Sequence, residues 1–248
     1  MRARRRAAAL VAGGFVAVLV ATAPPPLAAQ EEPPAAQVEL GQRLYTTGCS
    51  SCHGVDSRGT TRGPSLQGVG AASVDFWVST GRMPLKSDRN LAVRKPPAYD
   101  REQVDAIVAY VTSMAPGGPP IPELRLDEAD LVEGGELYRA NCAACHGAAG
   151  IGGALASGRH APALKPATPL QIAEAVRTGP AAMPNFGPDT FSDEQVASIA
   201  AYVESLDQPD DEGGFGLGHA GPIPEGFVGW LVGLGALLLA CYWIGERE

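Results

Sequence analysis

Apolar positions along this chain fall into two matched helical stripes and two uninterrupted terminal runs. Val104, Ile107, Val108 and Val111 follow the i, i+3, i+4, i+7 spacing of one buried helix face, and Val196, Ile199, Ala200 and Val203 repeat it. Each stripe has a start signal in capping-box spacing, Asp100 with Gln103 and Ser192 with Gln195. Shorter helices are predicted around Gly41 to Tyr45 and Gly134 to Tyr138, each ending near a cysteine. No stretch alternates cleanly enough to predict a strand, so the expected class is all-α.

The terminal runs point to a membrane. Arg2, Arg4, Arg5 and Arg6 precede an apolar run from Ala7 to Ala23, followed by three prolines and then Ala28 and Ala29. Residues 1–29 therefore read as an export signal, or as a retained N-terminal anchor, since about 17 apolar residues nearly span a bilayer. Phe227 to Ile244 is 18 residues without a charge, with Trp230, Tyr242 and Trp243 near its boundaries, and reads as a transmembrane helix. With the basic N-terminus inside, the bulk of the protein lies on the outer, periplasm-like face of the cell membrane. The tail after the helix, with one Arg and two Glu, gives that orientation little support of its own.

Between its ends the chain repeats. Leu44 to Gly54 and Leu137 to Gly147 both read LYxxxCxxCHG at an offset of 93, and Glu102 to Val111 recurs as Glu194 to Val203 at an offset of 92. Two copies of one small domain follow, over residues 38–115 and 130–207. Segment 116–129, with four prolines, is a semi-rigid spacer between them, and 208–226 is a Gly-rich acidic linker to the membrane helix.

Composition sharpens the problem of stability. Hydrophobic residues make up 45% of the 248 positions but aromatic ones only 6%, and a copy of about 78 residues lies near the lower limit for a self-sufficient core. Each copy needs a staple. The formal net charge of −8, falling to −12 if the four arginines of the signal are removed, excludes a nucleic-acid binder acting through bulk positive charge. The copies differ electrically. Residues 38–115 hold nine Lys and Arg against seven acids, whereas 130–207 hold four against nine, so the two halves suit different partner surfaces. Arg82, Lys86 and Arg89 around Met83 form a candidate basic collar toward an acidic partner patch, or else an ordinary solvated face.

The staple is in the cysteines. In Cys49-Ser-Ser-Cys52-His53 and Cys142-Ala-Ala-Cys145-His146, two thiols one helical turn apart suit thioether attachment to one haem, and the adjacent histidine can turn onto its iron. Burying such a macrocycle contributes on the order of 10 kcal/mol gross, enough to stand in for the missing aromatic core. A disulfide, a thioredoxin-like redox pair and half of a zinc site are the alternatives. Zinc would have only Cys241, His160 and His219 to complete it, and no βαβ pattern accompanies the CxxC pairs.

A second axial ligand must come from elsewhere in each copy, and methionine is the high-potential choice. Met1 is the initiator and Met114 falls at the end of a helix stripe. Met83 and Met183 remain, each after a Thr-Gly turn and before a proline, 30 and 37 residues beyond His53 and His146. Core filling is the plain alternative for both, and His160 is a minor alternative ligand for the second iron. Pro64 and Pro162, each in a Pro-x-Leu or Pro-Ala-Leu turn after the motif, are candidates to place a carbonyl against the Nδ1 proton of His53 and His146, unless they are simple turn prolines.

These residues together resemble a tandem of class I c-type cytochrome domains: the Gly and Tyr of the opening helix, CxxCH, the Pro and Leu after it, Met-Pro, and a closing helix with its Tyr. The likeness covers about 155 of the 248 residues. It implies that opening and closing helices cross, through Gly41 with Tyr110 and Gly134 with Tyr202. The whole arrangement of signal, two such domains and one C-terminal membrane helix is similar to the dihaem cytochrome c subunit of actinobacterial-type cytochrome bc complexes, the menaquinol:cytochrome c oxidoreductases. That resemblance implies two covalently bound haem c groups, cytochrome b and Rieske iron-sulfur subunits as partners, and a terminal oxidase as electron acceptor. It also implies membership of an oxidoreductase and translocase complex, in which this chain is the electron-transfer component without a substrate site. A free-standing membrane-bound dihaem shuttle or oxidase subunit, and less readily a dihaem peroxidase, are the competing functions.

Overall fold

The computed structural model describes residues 33–87, 92–207 and 222–246. The signal or anchor segment 1–29 and most of the linker to the membrane helix lie outside the described residues, as does Arg89.

The first domain opens with helix α1 (Ala35–Gly48), continues through the single turn α2 (Ser50–His53) and helix α3 (Ala71–Ser79), and closes with α4 (Arg101–Met114). The second repeats the order with α5 (Leu131–Asn141), α6 (Ala143–His146), α7 (Pro169–Thr178) and α8 (Asp193–Ser205). Both closing helices carry the capping box read from the sequence. Asp100 accepts from the Gln103 amide at 2.9 Å while the Gln103 side chain accepts from the Asp100 amide at 3.2 Å. Ser192 and Gln195 exchange the same two bonds, so two of the otherwise unpaired N–H groups at each helix start are satisfied.

Each domain is organised by one close helix crossing. At Gly41 an added Cβ would lie 1.9 Å from the Ala106 carbonyl oxygen of α4, and at Gly134 one would lie 2.1 Å from that of Ser198 in α8. Only hydrogen fits at either point. Beside the crossings, Tyr45 meets Tyr110 and Tyr138 meets Tyr202, each pair with ring centroids 5.5 Å apart. The first core gathers Tyr45, Val74, Val78, Val104, Ile107, Val108 and Val111. The second gathers Tyr138, Ile172, Val176, Phe191, Val196, Ile199 and Val203 with two alanines. The apolar stripes of α4 and α8 supply most of both cores.

Helices α3 and α7 go beyond the stripes predicted from periodicity. Helix α3 buries Ala72, Val74, Asp75, Phe76 and Val78, because one side faces its own core and another faces α7. A helix covered on two sides shows no single apolar stripe. Helix α7 does have a start signal, a Thr168–Gln171 capping box with Pro169 in its first turn, and it stops at Gly179 in the left-handed region. The all-α expectation also meets a small exception. Gly153–Ala154 (β1) pairs antiparallel with His160–Ala161 (β2), two residues per strand and too short for any alternation to show.

The Pro-rich segment 116–129 lies against both domains. The Pro119 carbonyl accepts from the Ala72 amide at 3.2 Å, Ile121 packs on the first core and Leu124 on the second. A short 3-10 turn at Leu126–Glu128 then leads into α5. The domains also touch directly, through α3 and α7.

The C-terminal helix α9 runs from Pro222 to Gly245, beginning five residues before the predicted span and ending one after it. Prolines 222 and 224 sit in its first turn, where no intrahelical N–H bond is needed, so the helix extends past the uncharged stretch to include Glu225. Its 24 residues give about 36 Å of helix, enough for a hydrocarbon core of about 30 Å. Ile223–Gly245 has the length and composition of a membrane span, and its apolar side chains are exposed in the isolated chain.

The crossings make a direct prediction. Gly41→Ala or Gly134→Ala should cost roughly 2–4 kcal/mol, because a backbone carbonyl must move to admit the methyl group. Gly187→Ala, where an added Cβ meets nothing within 4 Å, should stay within about 0.5 kcal/mol. Denaturant unfolding of the three variants against the parent checks the ranking.

Candidate haem sites

The two CxxCH motifs are built alike. Helix α1 ends at Gly48, and the chain turns once more through Ser50–His53, with the amides of Cys52 and His53 donating to the Cys49 carbonyl at 3.1 and 3.0 Å. The same bonds recur from Cys145 and His146 to Cys142, at 3.1 and 2.9 Å. Cys49 and Cys52, and Cys142 and Cys145, therefore stand one turn apart on their own short helices, and all four thiols are free. Each turn stops at a glycine with positive φ, Gly54 at 82° and Gly147 at 76°. The carbonyl of that glycine is held from the core, by Tyr45 Oη at 2.7 Å and by Tyr138 Oη at 2.6 Å.

The imidazoles are fixed from one side. His53 Nδ1 lies 2.8 Å from the Pro64 carbonyl oxygen, and His146 Nδ1 lies 3.0 Å from that of Pro162. A carbonyl oxygen only accepts, so each Nδ1 carries the proton and each Nε2 keeps its lone pair for another partner. The loops that bring these carbonyls back differ. In the first domain 11 residues separate His53 from Pro64, and Thr60 Oγ1 donates to the Cys52 carbonyl at 2.7 Å. In the second the separation is 16 residues, the extra length forming the β1–β2 hairpin. His160 is exposed in that hairpin, two residues before Pro162, and so belongs to the chain segment that serves the Nδ1 side of His146.

Each methionine packs on the same core as the first cysteine of its motif. Met83, Cys49 and Leu66 lie half-buried against the first core, and Met183, Cys142 and Leu164 against the second. Each methionine follows a turn that requires glycine. Gly81 has φ 65° and Gly179 φ 60°, and an added Cβ would meet the Lys95 carbonyl oxygen at 2.1 Å or the Asn185 amide nitrogen at 2.6 Å. Met114 also packs on the first core, at the end of α4.

The basic side chains near Met83 separate into two kinds. Lys86 is exposed, whereas Arg82 is half-buried with its guanidinium 4.8 Å from the centroid of the Phe76 ring, and its buried Nη1 has no hydrogen-bond partner. Burial, and after it the neighbouring Arg94, pull the Arg82 guanidinium below its usual range. Burial pushes the Cys49 and Cys142 thiols up to about 11, with the second thiol of each motif adding to the effect, so both are neutral near pH 7. Burial likewise raises Tyr45 to about 12, followed by Cys49, Tyr110 and Asp56, and keeps its hydroxyl a donor. The tyrosine hydroxyls, and the half-burial of an Arg82 that the sequence places in a basic collar, escape a reading that looks for ligands alone. The signal for the first was present, since Tyr45 and Tyr138 each stand four residues before the first motif cysteine.

Comparison with known proteins agrees in both halves of the chain. The family model for Cytochrome c matches residues 38–115, and that for Cytochrome C oxidase, cbb3-type, subunit III matches 129–203. The Cytochrome bc1 complex cytochrome c subunit of Mycobacterium tuberculosis is 44% identical over 223 residues, covering 86% of this chain and 79% of the relative. Its counterpart in Corynebacterium diphtheriae is 41% identical over 231 residues, covering 86% and 82%. The Cbb3-type cytochrome c oxidase subunit CcoP of an Azospirillum species is 28% identical over 188 residues, covering 67% and 61%.

Removing a single core hydroxyl should loosen the motif it holds. Tyr45→Phe and Tyr138→Phe should each cost about 1–2 kcal/mol, the loss of a bond to a partly buried carbonyl. Unfolding followed separately by the Soret band and by helix signal checks this, and equal midpoints for variant and parent would refute it.

Proposed function

The chain belongs to the family of cytochrome c subunits of the cytochrome bc1 complex, an electron carrier with two haem c groups, and from that premise we propose the role of each site residue and each partner. Cys49 and Cys52 bind one haem covalently, and Cys142 and Cys145 the other. His53 and His146 are the proximal iron ligands, and Met83 and Met183 the distal ones. The observation that carries this reading is the paired imidazole geometry. In both domains Nδ1 is committed to a proline carbonyl, Nε2 is left free, and a cysteine and a methionine share the adjoining apolar cluster.

When bound, haem c supplies a one-electron iron couple. The protein's residues do the rest. The Pro64 and Pro162 carbonyls orient the imidazoles and raise their basicity. Leu66 and Val69 pack on the first core and Leu164 and Phe186 on the second, adding apolar cover around each methionine's cluster, and the buried, unpartnered Nη1 of Arg82 would suit a carboxylate of the first haem. No group in the chain is needed as acid, base or nucleophile, because no bond of a substrate changes.

In this reading the first domain receives electrons from the Rieske iron-sulfur subunit beside cytochrome b, and the second passes them to a terminal oxidase. The unlike charges of the two domains support two different docking surfaces. The haem domains face the outer side of the membrane, with α9 as their anchor, and the complex as a whole is a translocase. A free-standing shuttle has less support, since relatives matching most of the chain are named as complex subunits.

Met83→Ala or Met183→Ala should lower the potential of one haem only and open its iron to carbon monoxide, as read by redox titration and by the carbon monoxide difference spectrum. Unaltered spectra in both variants would overturn the distal assignment. Purified from native membranes in mild detergent, the tagged protein should bring b-type haem bands with its c-type bands. A preparation with c-type bands alone would favour the free shuttle.

A further inference from the structure

The two domains meet through equivalent helices of the repeat, and the meeting contains an anomaly. On α7, Gln171 faces the first domain: its Nε2 donates to Ser79 Oγ of α3 at 3.3 Å, and its Oε1 accepts from Arg94 Nη2 at 2.8 Å. Three residues on, along the same face of the helix, stands Glu174. It is 0% exposed, and neither carboxylate oxygen has a hydrogen-bond partner.

Its charged surroundings come from the other domain. Asp75 of α3, 1% exposed, and Arg101 at the start of α4 are the groups whose charges bear on Glu174. Arg101 is already committed, to Asp75 and to Asp105. Arg94 is used by Gln171, and Arg177 of α7 turns away to the Phe186 and Phe191 carbonyls and to Asp193 of α8. No cation is left over for Glu174 among these. An ionised carboxylate buried beside a second one, without a donor, costs several kcal/mol.

We propose that Glu174 is the positioning residue of the interdomain dock: it enters the α3–α7 interface as a neutral acid, and its ionisation opens that interface. Burial, and next the Asp75 carboxylate, push the Glu174 carboxyl up to about 9 against the opposing pull of Arg101. When the domains part, Glu174 returns to water and to an ordinary value near 4.3. The docked form therefore holds one more proton than the undocked form between those two values. Docking is at full strength below the lower one, weakens about tenfold per pH unit across the window, and levels off above about 9. Its consequence for electron passage between the domains rests on the proposed function; the docking itself does not.

The test uses the full-length haem-loaded protein in detergent, with gadolinium chelates attached through p-azidophenylalanine at the exposed positions Ser113 and Glu204, one in each domain. Double electron–electron resonance then reads the interdomain distance without involving electron transport, and haem content is checked by absorbance. A narrow distance distribution at pH 5.5 should gain a broad component as the pH is raised to 9. Glu174→Gln, which keeps the shape and removes the charge, should stay narrow throughout, and Glu174→Met should do the same. A parent protein that stays narrow to pH 9, or variants that broaden as the parent does, would overturn the proposal.

Discussion

Everything in each domain hangs on a helix crossing that admits no side chain. With hydrogen at Gly41 and Gly134, α1 and α5 lie directly on the carbonyls of Ala106 and Ser198. That contact seats Tyr45 and Tyr138 in the core, and their hydroxyls reach the glycine that ends the CxxCH turn. The motif is thereby tied to the core at its end, while the proline carbonyls hold the imidazole from the other side. The order of dependence runs from backbone approach, to tyrosine, to motif, to histidine. A domain with so few aromatics has little spare packing to hold that histidine by other means.

The parts legible in the sequence are those set by local rules. The α4 and α8 stripes, their capping boxes, the repeated CxxCH and the membrane span each depend on residues within a few turns of one another. The proline carbonyls were also legible, because the repeat places a Pro at a comparable point in each loop although the loops differ by five residues. What escaped is of two kinds. Helix α3 is covered by its own core and by α7, so its pattern averages over two buried faces, and nothing within the segment records the second. The Glu174 environment is assembled from Asp75 and Arg101, 99 and 73 positions earlier in the chain, and in sequence Glu174 is one more acid in an acidic half.

Repetition of the fold has not kept the two copies alike. The loop between His146 and Pro162 carries the β1–β2 hairpin, and the second half carries the acidic excess. A carrier that takes an electron from one protein and gives it to another needs two recognisably different faces on similar redox units. Changing loops and surface charge achieves that without disturbing the crossing, the tyrosine or the histidine clamp.

The third helix shows how far this divergence reaches inward. Aligning Thr80-Gly81 with Thr178-Gly179 sets Phe76 of α3 opposite Glu174 of α7 in the repeat. In the first copy that position is an aromatic ring beneath the Arg82 guanidinium. In the second it is a carboxyl buried against the first copy's Asp75–Arg101 pair. An apolar residue at position 174 would pack without any electrostatic cost, so stability of the second domain alone does not account for a glutamate there. A titratable group where the domains press together makes the strength of their contact depend on proton activity, which an apolar side chain cannot do. The same helix position thus holds an aromatic ring in one copy and a titratable contact in the other, with the backbone scaffold unchanged.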